Sequence, residues 1–219
     1  MPSGTLNRVI WGAMLVLLAV LAFQTRDRFA AYFEGVGKLD VRAAPEEGTV
    51  YLRWEGKIDA PMADRVAAAF ERYKGEARTF VLSLSSPGGS LDHGAIVIRL
   101  LRRIEQAHTL VTSVGAGDEC ASMCVPVYLQ GQRRLAAPSA RFMFHEVSFR
   151  DFFSEEESNA PQSAKRRETD RLFGRYFDAA GVPTSWVTKM LGEISGGREV
   201  WKSGRELVEE RSNIVQELE

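Results

Sequence analysis

Histidine and cysteine are scarce in this chain of 219 residues, which holds three of the first and two of the second. A structural zinc site of four such ligands is hard to assemble from them, so no metal and no other cofactor is expected. An excess of one charge is also missing. Lys and Arg total 28 against 29 Asp and Glu, a formal net charge of −1. No basic run is interleaved with aromatics, so nucleic acid is not an expected partner. Internal repeats and low-complexity tracts are absent as well, which excludes repeat arrays. What remains is ordinary globular composition, 45% hydrophobic and 26% charged. The length suits one domain with a sizeable core rather than two.

A full-length transmembrane run is lacking too, but a shorter one is there. Residues Val9 to Phe23 are uncharged and mostly apolar, with Arg8 before them and Arg26 and Arg28 after. A bilayer span usually takes roughly twenty residues, and arginines at both ends can snorkel to extend the effective length. A cleaved signal peptide is the competing reading, with Val20-Leu21-Ala22 as its cleavage site. A buried core helix fits less well, because no polar face interrupts the run. The expected organisation is therefore a membrane anchor or signal segment over 1–28, a linker over 29–48 and one folded domain over 49–219. Either favoured reading places that domain outside the cytosol, in the periplasm if the cell is Gram-negative.

Hydrophobic patterning supplies the elements of the domain. Thr49 to Trp54 reads as a strand, and Ala60 to Tyr73 carries Met62, Val66, Ala69, Phe70 and Tyr73 at helical spacing. Thr79 to Leu84 is a near-continuous apolar strand, the pattern expected when both faces are covered. A helix follows over Leu91 to Gln106, with Ile96, Leu100 and Ile104 on one side, and then a strand from His108 to Val114. Ala121 to Leu129 predicts a short buried helix, and Arg141 to His145 a short strand. The polar, acidic stretch from Phe149 to Asn159 reads as a solvated loop. Gln162 to Ala180 predicts a long helix, and Ser185 caps another that reaches Ile194. Alternating strands and helices in this order imply a layered α/β domain.

Three stretches can carry chemistry. Ser86-Pro87-Gly88-Gly89 is a turn between a strand and a helix. It lets backbone approach a ligand closely and offers N–H groups to a developing oxyanion. Ser122 begins a helix, where the helix dipole and the unpaired N–H of Met123 favour negative charge. His145 ends a strand and is a candidate general base for Ser122. Each alone is a weak signal; their joint order is stronger.

Those same stretches resemble the Clp protease proteolytic subunit and its relatives in the crotonase-like superfamily. Ser86 to Gly89 is similar to the family's Ser-Pro-Gly-Gly strand end. Ala121-Ser122-Met123 matches the turn that carries the nucleophile, and Met143-Phe144-His145 matches the segment that carries the base. Gly131, Arg134, Pro138 and Ser139 also fall where the family has those residue types. The resemblance runs from about Val50 to the end and implies ClpP/crotonase-like layered β-α-β repeats with a protruding handle helix around Gln162 to Ala180. It implies a serine peptidase in which Ser122 attacks, His145 is the base, and Gly88, Gly89 and Met123 form the oxyanion hole. Peptide or protein would be the substrate and a homo-oligomer the assembly. Arg198-Glu199-Val200-Trp201 fits the frame of the family's third catalytic residue, with Glu199 standing where an Asp is expected. The N-terminal apolar segment departs from soluble family members and points to an exported or membrane-linked relative. Superfamily signal peptide peptidases use a Ser–Lys dyad, and no lysine here lies in an equivalent motif.

Cys120 and Cys124 flank Ser122. In an oxidising compartment they are candidates for a disulfide fixing the nucleophile turn; the plainer reading is two small buried residues packing a helix. His93 and His108 read as structural, as do Phe142, Phe144, Phe149, Trp186 and Trp201. Two other functions use the same fold. One is crotonase-like acyl-CoA chemistry, against which the N-terminal segment argues. The other is a non-catalytic binding scaffold, which the Glu199 departure favours.

Overall fold

The computed structural model describes residues 37–148 and 160–219. The expected anchor or signal segment over 1–28 and the expected solvated loop over 149–159 lie outside the described residues. Among those described, no helix is long and apolar enough to cross a membrane.

Alternation builds the central sheet. In β2 (Thr49–Glu55) the side chains of Val50, Leu52 and Trp54 are buried while Tyr51 and Arg53 are half-exposed. In β3 (Thr79–Ser85) Phe80, Leu82 and Leu84 are fully buried. The opposite face of β3 is only half-covered, so the expectation of two buried faces holds for one. Burying each such side chain contributes about 1.5–3 kcal/mol. β2, β3 and β4 (Thr109–Val114) run parallel, and β6 (Arg133–Ala136) and the short β9 (Glu217–Leu218) continue the parallel order.

A sixth strand corrects the domain boundary. The reading of 29–48 as linker fails over Lys38–Ala44, which forms β1, antiparallel to β2 from Lys38↔Glu55 to Ala44↔Thr49. This strand is mostly exposed and held by its backbone ladder to β2, with half-buried Leu39 and Ala43 against the core. Lys38 pairs with Asp40 at 2.9 Å, and the Arg42 guanidinium lies 4.1 Å from the Tyr51 ring centroid. An edge strand of this kind closes an open row of backbone groups without needing an apolar stripe, which is why patterning passed over it. Among the described residues the sheet order is β1-β2-β3-β4-β6-β9.

Helices complete the layer. In α1 (Ala60–Tyr73) Met62, Val66 and Phe70 are buried at four-residue spacing. In α2 (Leu91–Glu105) the buried stripe is Val97, Ile98, Leu100, Leu101 and Ile104, whereas Ile96, expected on that side, is 42% exposed. Ser90 caps α2 through its hydroxyl and the His93 N–H.

A smaller sheet, β5-β7-β8, carries the site. β5 (Glu119–Ala121) runs parallel to β7 (Arg141–Phe144), and β8 (Val200–Ser203) pairs antiparallel to β7. The helix expected over 121–129 is shorter, because Ala121 belongs to β5 and α3 spans Cys124–Tyr128. Beyond the site, α4 (Gln162–Tyr176) buries only Thr169, Phe173 and Tyr176, consistent with its polar composition. Phe173 stacks on Phe177 at 4.2 Å, and Phe144 meets Phe177 and Trp186 at 6.3 and 5.4 Å, so aromatics seat α4 and α5 (Thr184–Glu193) on β7. Trp201 is instead 36% exposed, with the Arg141 guanidinium 4.2 Å from its ring centroid. The last helix, α6 (Gly204–Glu209), is opened by a reciprocal cap between Ser203 and Glu206 and precedes β9.

Buried Arg134 ties this last part to the sheet, donating to the carbonyls of Gly131, Ala180, Asn213 and Ile214. Desolvation pushes its pKa below the ordinary arginine value.

Candidate active site

The end of β3 and the start of β5 are stitched together by backbone. Ser86 N–H donates to Glu119 O at 2.7 Å, and Ala121 N–H donates to Ser86 O at 2.9 Å. The turn leading into β5 is held from the side by Asp118, which accepts both Arg53 Nη atoms at 2.9 Å. That fork, chiefly through its hydrogen bonds, holds the Asp118 carboxyl below the usual carboxylate range.

Ser122 follows at once, at the sharp turn between β5 and α3, with φ of 54°. For a residue with a Cβ this left-handed conformation costs about 1–2 kcal/mol. It persists because the surroundings over-determine it. The Ser122 N–H donates to Met143 O on β7 at 3.0 Å, and Ser122 O accepts from Val125 N–H at 3.0 Å. The buried side chains of Cys120 and Cys124 form a disulfide across the turn, with their Cα atoms 5.2 Å apart. Ser122 therefore sits on a braced elbow rather than as the first residue of a helix. Because α3 is only five residues long, little dipole is available to it.

The elbow aims the hydroxyl at the end of β7. Ser122 Oγ lies 2.7 Å from His145 Nε2. With the ring proton on Nδ1, the hydroxyl donates to Nε2, the arrangement a general base requires. Both side chains are half-buried and line one cavity with Gly89, Met123 and Glu146.

The three expected oxyanion residues separate. Gly88 (φ 95°) is pressed against the elbow; a Cβ there would lie 2.7 Å from Ala121 O and 2.8 Å from Ser122 Cβ. Its N–H is already donated to Ser86 Oγ at 3.1 Å, so the expectation of an oxyanion role for Gly88 is corrected to one of close packing. The N–H groups of Gly89 and Met123, by contrast, have no acceptor among the described residues. Gly89 also has no room for a side chain, since a Cβ would fall 2.3 Å from Ile58 O.

Glu199 is brought near but not joined. The β7–β8 ladder pairs Phe144 with Val200, so one further step of the register sets Glu199 alongside His145. Its side chain is exposed. Among the described residues no hydrogen bond or ion pair links it to the imidazole.

Sequence patterning passed over a different acid. Glu146, immediately after His145, is 4% exposed. Its Oε2 accepts from Gln162 Nε2 at 2.6 Å and from Gly197 N–H at 3.0 Å, while Oε1 is buried without a partner. An acid directly after an apolar strand was the available signal. Thr169 on α4 accepts from Val147 N–H at 2.9 Å and donates to Lys165 O at 2.8 Å, which fixes the far wall.

The other histidines have local surroundings. His108 packs edge-on against Phe70 and Phe80 at 5.3 and 5.2 Å and meets Ala77 O at 3.1 Å. His93 lies 4.0 Å from Asp59 on the rim of α2.

A family model described as Clp protease matches residues 46–169. Comparison with curated proteins returns no match. Solved structures do match. A ClpP1 point mutant from Listeria monocytogenes is 18% identical with a TM-score of 0.57, over 80% of this chain and 92% of that one. A mutant of a membrane-bound stomatin-specific protease, 1510-N, is 13% identical with a TM-score of 0.61, over 76% and 77%. A second 1510-N mutant, in complex with a substrate peptide, is 14% identical with a TM-score of 0.62, over 76% and 73%.

Proposed function

The chain belongs to the Clp protease family, and we propose that it is a serine peptidase cleaving peptide or protein substrates through an acyl-enzyme. The observation that carries this reading is the 2.7 Å contact between Ser122 Oγ and His145 Nε2. His145 Nε2 takes the hydroxyl proton as Oγ attacks the scissile carbonyl carbon. The carbonyl oxygen, gaining negative charge, is held by the free N–H groups of Gly89 and Met123. The imidazolium returns its proton to the leaving amine as the C–N bond breaks. Water then enters, its oxygen bonding to the acyl carbon as His145 takes its proton; the C–Oγ bond breaks and the imidazolium returns the proton to Ser122 Oγ, releasing the new carboxylic acid. Glu199, beside His145 in the ladder register, is the proposed orienter and would need to turn inward from solvent to meet it.

A fluorophosphonate probe tests the nucleophile. Wild type should be labelled, Ser122→Ala should not, and His145→Ala should be labelled far more slowly. Labelling of Ser122→Ala at the wild-type rate would refute the assignment. The exposed carboxylate of Glu199 favours a second reading, a non-catalytic binding module on the same fold. A folded wild type that stays silent to the probe would select that reading.

We further propose that the domain works outside the cytosol, tethered or exported by residues 1–28, and assembles into a homo-oligomer through α4. A disulfide beside the nucleophile suits an oxidising compartment, and the apolar run supplies the means of export or attachment. Thiol-trapping in intact cells tests the first point. The expected result is Cys120 and Cys124 protected from alkylation; free, alkylated thiols would refute it. Light scattering of the purified full chain in detergent tests the second.

A further inference from the structure

The N–H of Met123, proposed above to hold the oxyanion, is fixed by few hydrogen bonds of its own residue. It donates to nothing among the described residues, and the Met123 carbonyl accepts from Val127 N–H at 3.4 Å, a long contact. The side chain is anchored instead. It is 2% exposed, belongs to the hydrophobic core and lies against Gly94 on α2. A Cβ on Gly94 would fall 2.4 Å from both Met123 Cγ and Cε and 3.0 Å from the sulfur between them.

Nothing else at Gly94 calls for glycine. It sits in the first turn of α2 with helical backbone, and its N–H donates to Ser90 O at 2.9 Å as any residue's would. Glycine inside a helix lowers stability relative to alanine. What the missing side chain provides is a notch that Met123 fills. Cε, at the free end, could swing aside at small cost, but Cγ is joined directly to Cβ. Moving Cγ means turning the whole buried side chain about Cα–Cβ or displacing the Met123 backbone, and interiors leave little room for either. We propose that Gly94 is a positioning residue for acyl transfer: its notch seats the Met123 side chain and thereby sets the N–H that receives the oxyanion. The inference rests on the peptidase reading above. It differs from plain packing, in which Gly94 only lets α2 approach α3.

The test uses the purified full-length chain, a small fluorophosphonate and a fluorogenic peptide that wild type cleaves. In Gly94→Ala, labelling of Ser122 and kcat should both fall about tenfold or more, since losing one oxyanion donor altogether costs roughly 10²–10³. KM should stay within about twofold, because the lost contact is made to the transition state. The double variant Gly94→Ala/Met123→Ala keeps the backbone N–H and removes all three crowded atoms, so it should label faster than Gly94→Ala. Wild-type labelling and kcat in Gly94→Ala, a loss carried by KM alone, or a double variant no faster than the single one would each overturn the proposal. Should Gly94→Ala not fold, the double variant decides: folding with labelling of Ser122 supports the notch, and failure to fold or to label overturns it. Wild type separates the two layers. Labelled wild type with an equally labelled Gly94→Ala removes the positioning role and leaves the peptidase, whereas unlabelled wild type removes both.

Discussion

Replacing Cys120 and Cys124 together by alanine should unfold the protein more easily and slow its nucleophile, by amounts the structure sets. The two cysteines are four positions apart, and closing so short a loop removes denatured-chain entropy worth about 2 kcal/mol at 25 °C. In a domain of this size that corresponds to a melting temperature lower by about 4–8 °C. The loop so closed contains Ser122, whose left-handed backbone stores about 1–2 kcal/mol of strain. The cross-link therefore offsets roughly the energy that the elbow costs. Once it is cut, the elbow can relax towards φ below zero, and the 2.7 Å alignment with His145 becomes one of several arrangements. Urea titration of the oxidised wild type beside the double alanine variant measures the first effect. The rate of fluorophosphonate labelling under the same conditions measures the second. Dithiothreitol should slow the wild type but not the variant, although both cysteines are buried and reduction needs a local opening. If the variant's unfolding free energy lay within about 0.5 kcal/mol of wild type and its labelling rate were unchanged, the bracing argument would be refuted.

Three further outcomes follow from the same geometry. Ser122→Gly should unfold at higher urea than Ser122→Ala, by about 1 kcal/mol, since both lack the hydroxyl but only glycine is at ease at φ 54°; equal midpoints would mean that the elbow is unstrained. Gly88→Ala forces a Cβ to 2.7 Å from Ala121 O at φ 95°, so it should cost about 2 kcal/mol or more and abolish labelling of Ser122; retained labelling at the wild-type rate would show that the Gly88 contact can yield. For Asp118, whose folded pKa is depressed mainly by the Arg53 hydrogen bonds, the stabilisation is present above its unfolded pKa of roughly 4 and is lost as pH falls through the lower folded value. Arg53→Met should therefore destabilise the protein at neutral pH and flatten the fall of stability below about pH 4, as acid titrations followed by circular dichroism will report.

The parts of the site that patterning reached are those fixed by local chemistry. Pro87-Gly88-Gly89 must turn, a strand of Phe80, Leu82 and Leu84 must bury those side chains, and His145 directly follows the apolar strand that ends at Phe144. What escaped was set by pairing between distant segments. β1 is exposed along most of its length, so its place depends on the open edge of β2 and not on its own residues. β8 and β9 are short and half-exposed or exposed, and they are strands only because β7 and β6 offer partners. A glycine turn offers N–H groups in general, hence the oxyanion role expected of Gly88; in the fold this N–H is spent on Ser86 Oγ.

The two acids sharpen the point. Glu199 was found through its sequence frame, and the ladder does bring it alongside His145, yet its side chain is exposed. Glu146 has no frame of its own and became visible only through burial, since a carboxylate 4% exposed with one oxygen unpartnered cannot be recognised from the residue type. Their energetic situations are opposite. An exposed carboxylate gives up little by moving, so Glu199 can engage or leave the imidazole at small cost. A buried half-satisfied one is costly to keep and is fixed in place by the donors it has, here Gln162 and the Gly197 N–H. Neutralising Glu199 should lower turnover on every substrate alike, while neutralising Glu146 should lower stability by weakening its hold on Gln162 and Gly197. Peptide turnover and urea unfolding of Glu199→Gln and Glu146→Gln separate the two: lost turnover at an unchanged unfolding midpoint for the first, a lowered midpoint for the second. Reversal of those patterns would exchange the roles assigned here to the two acids.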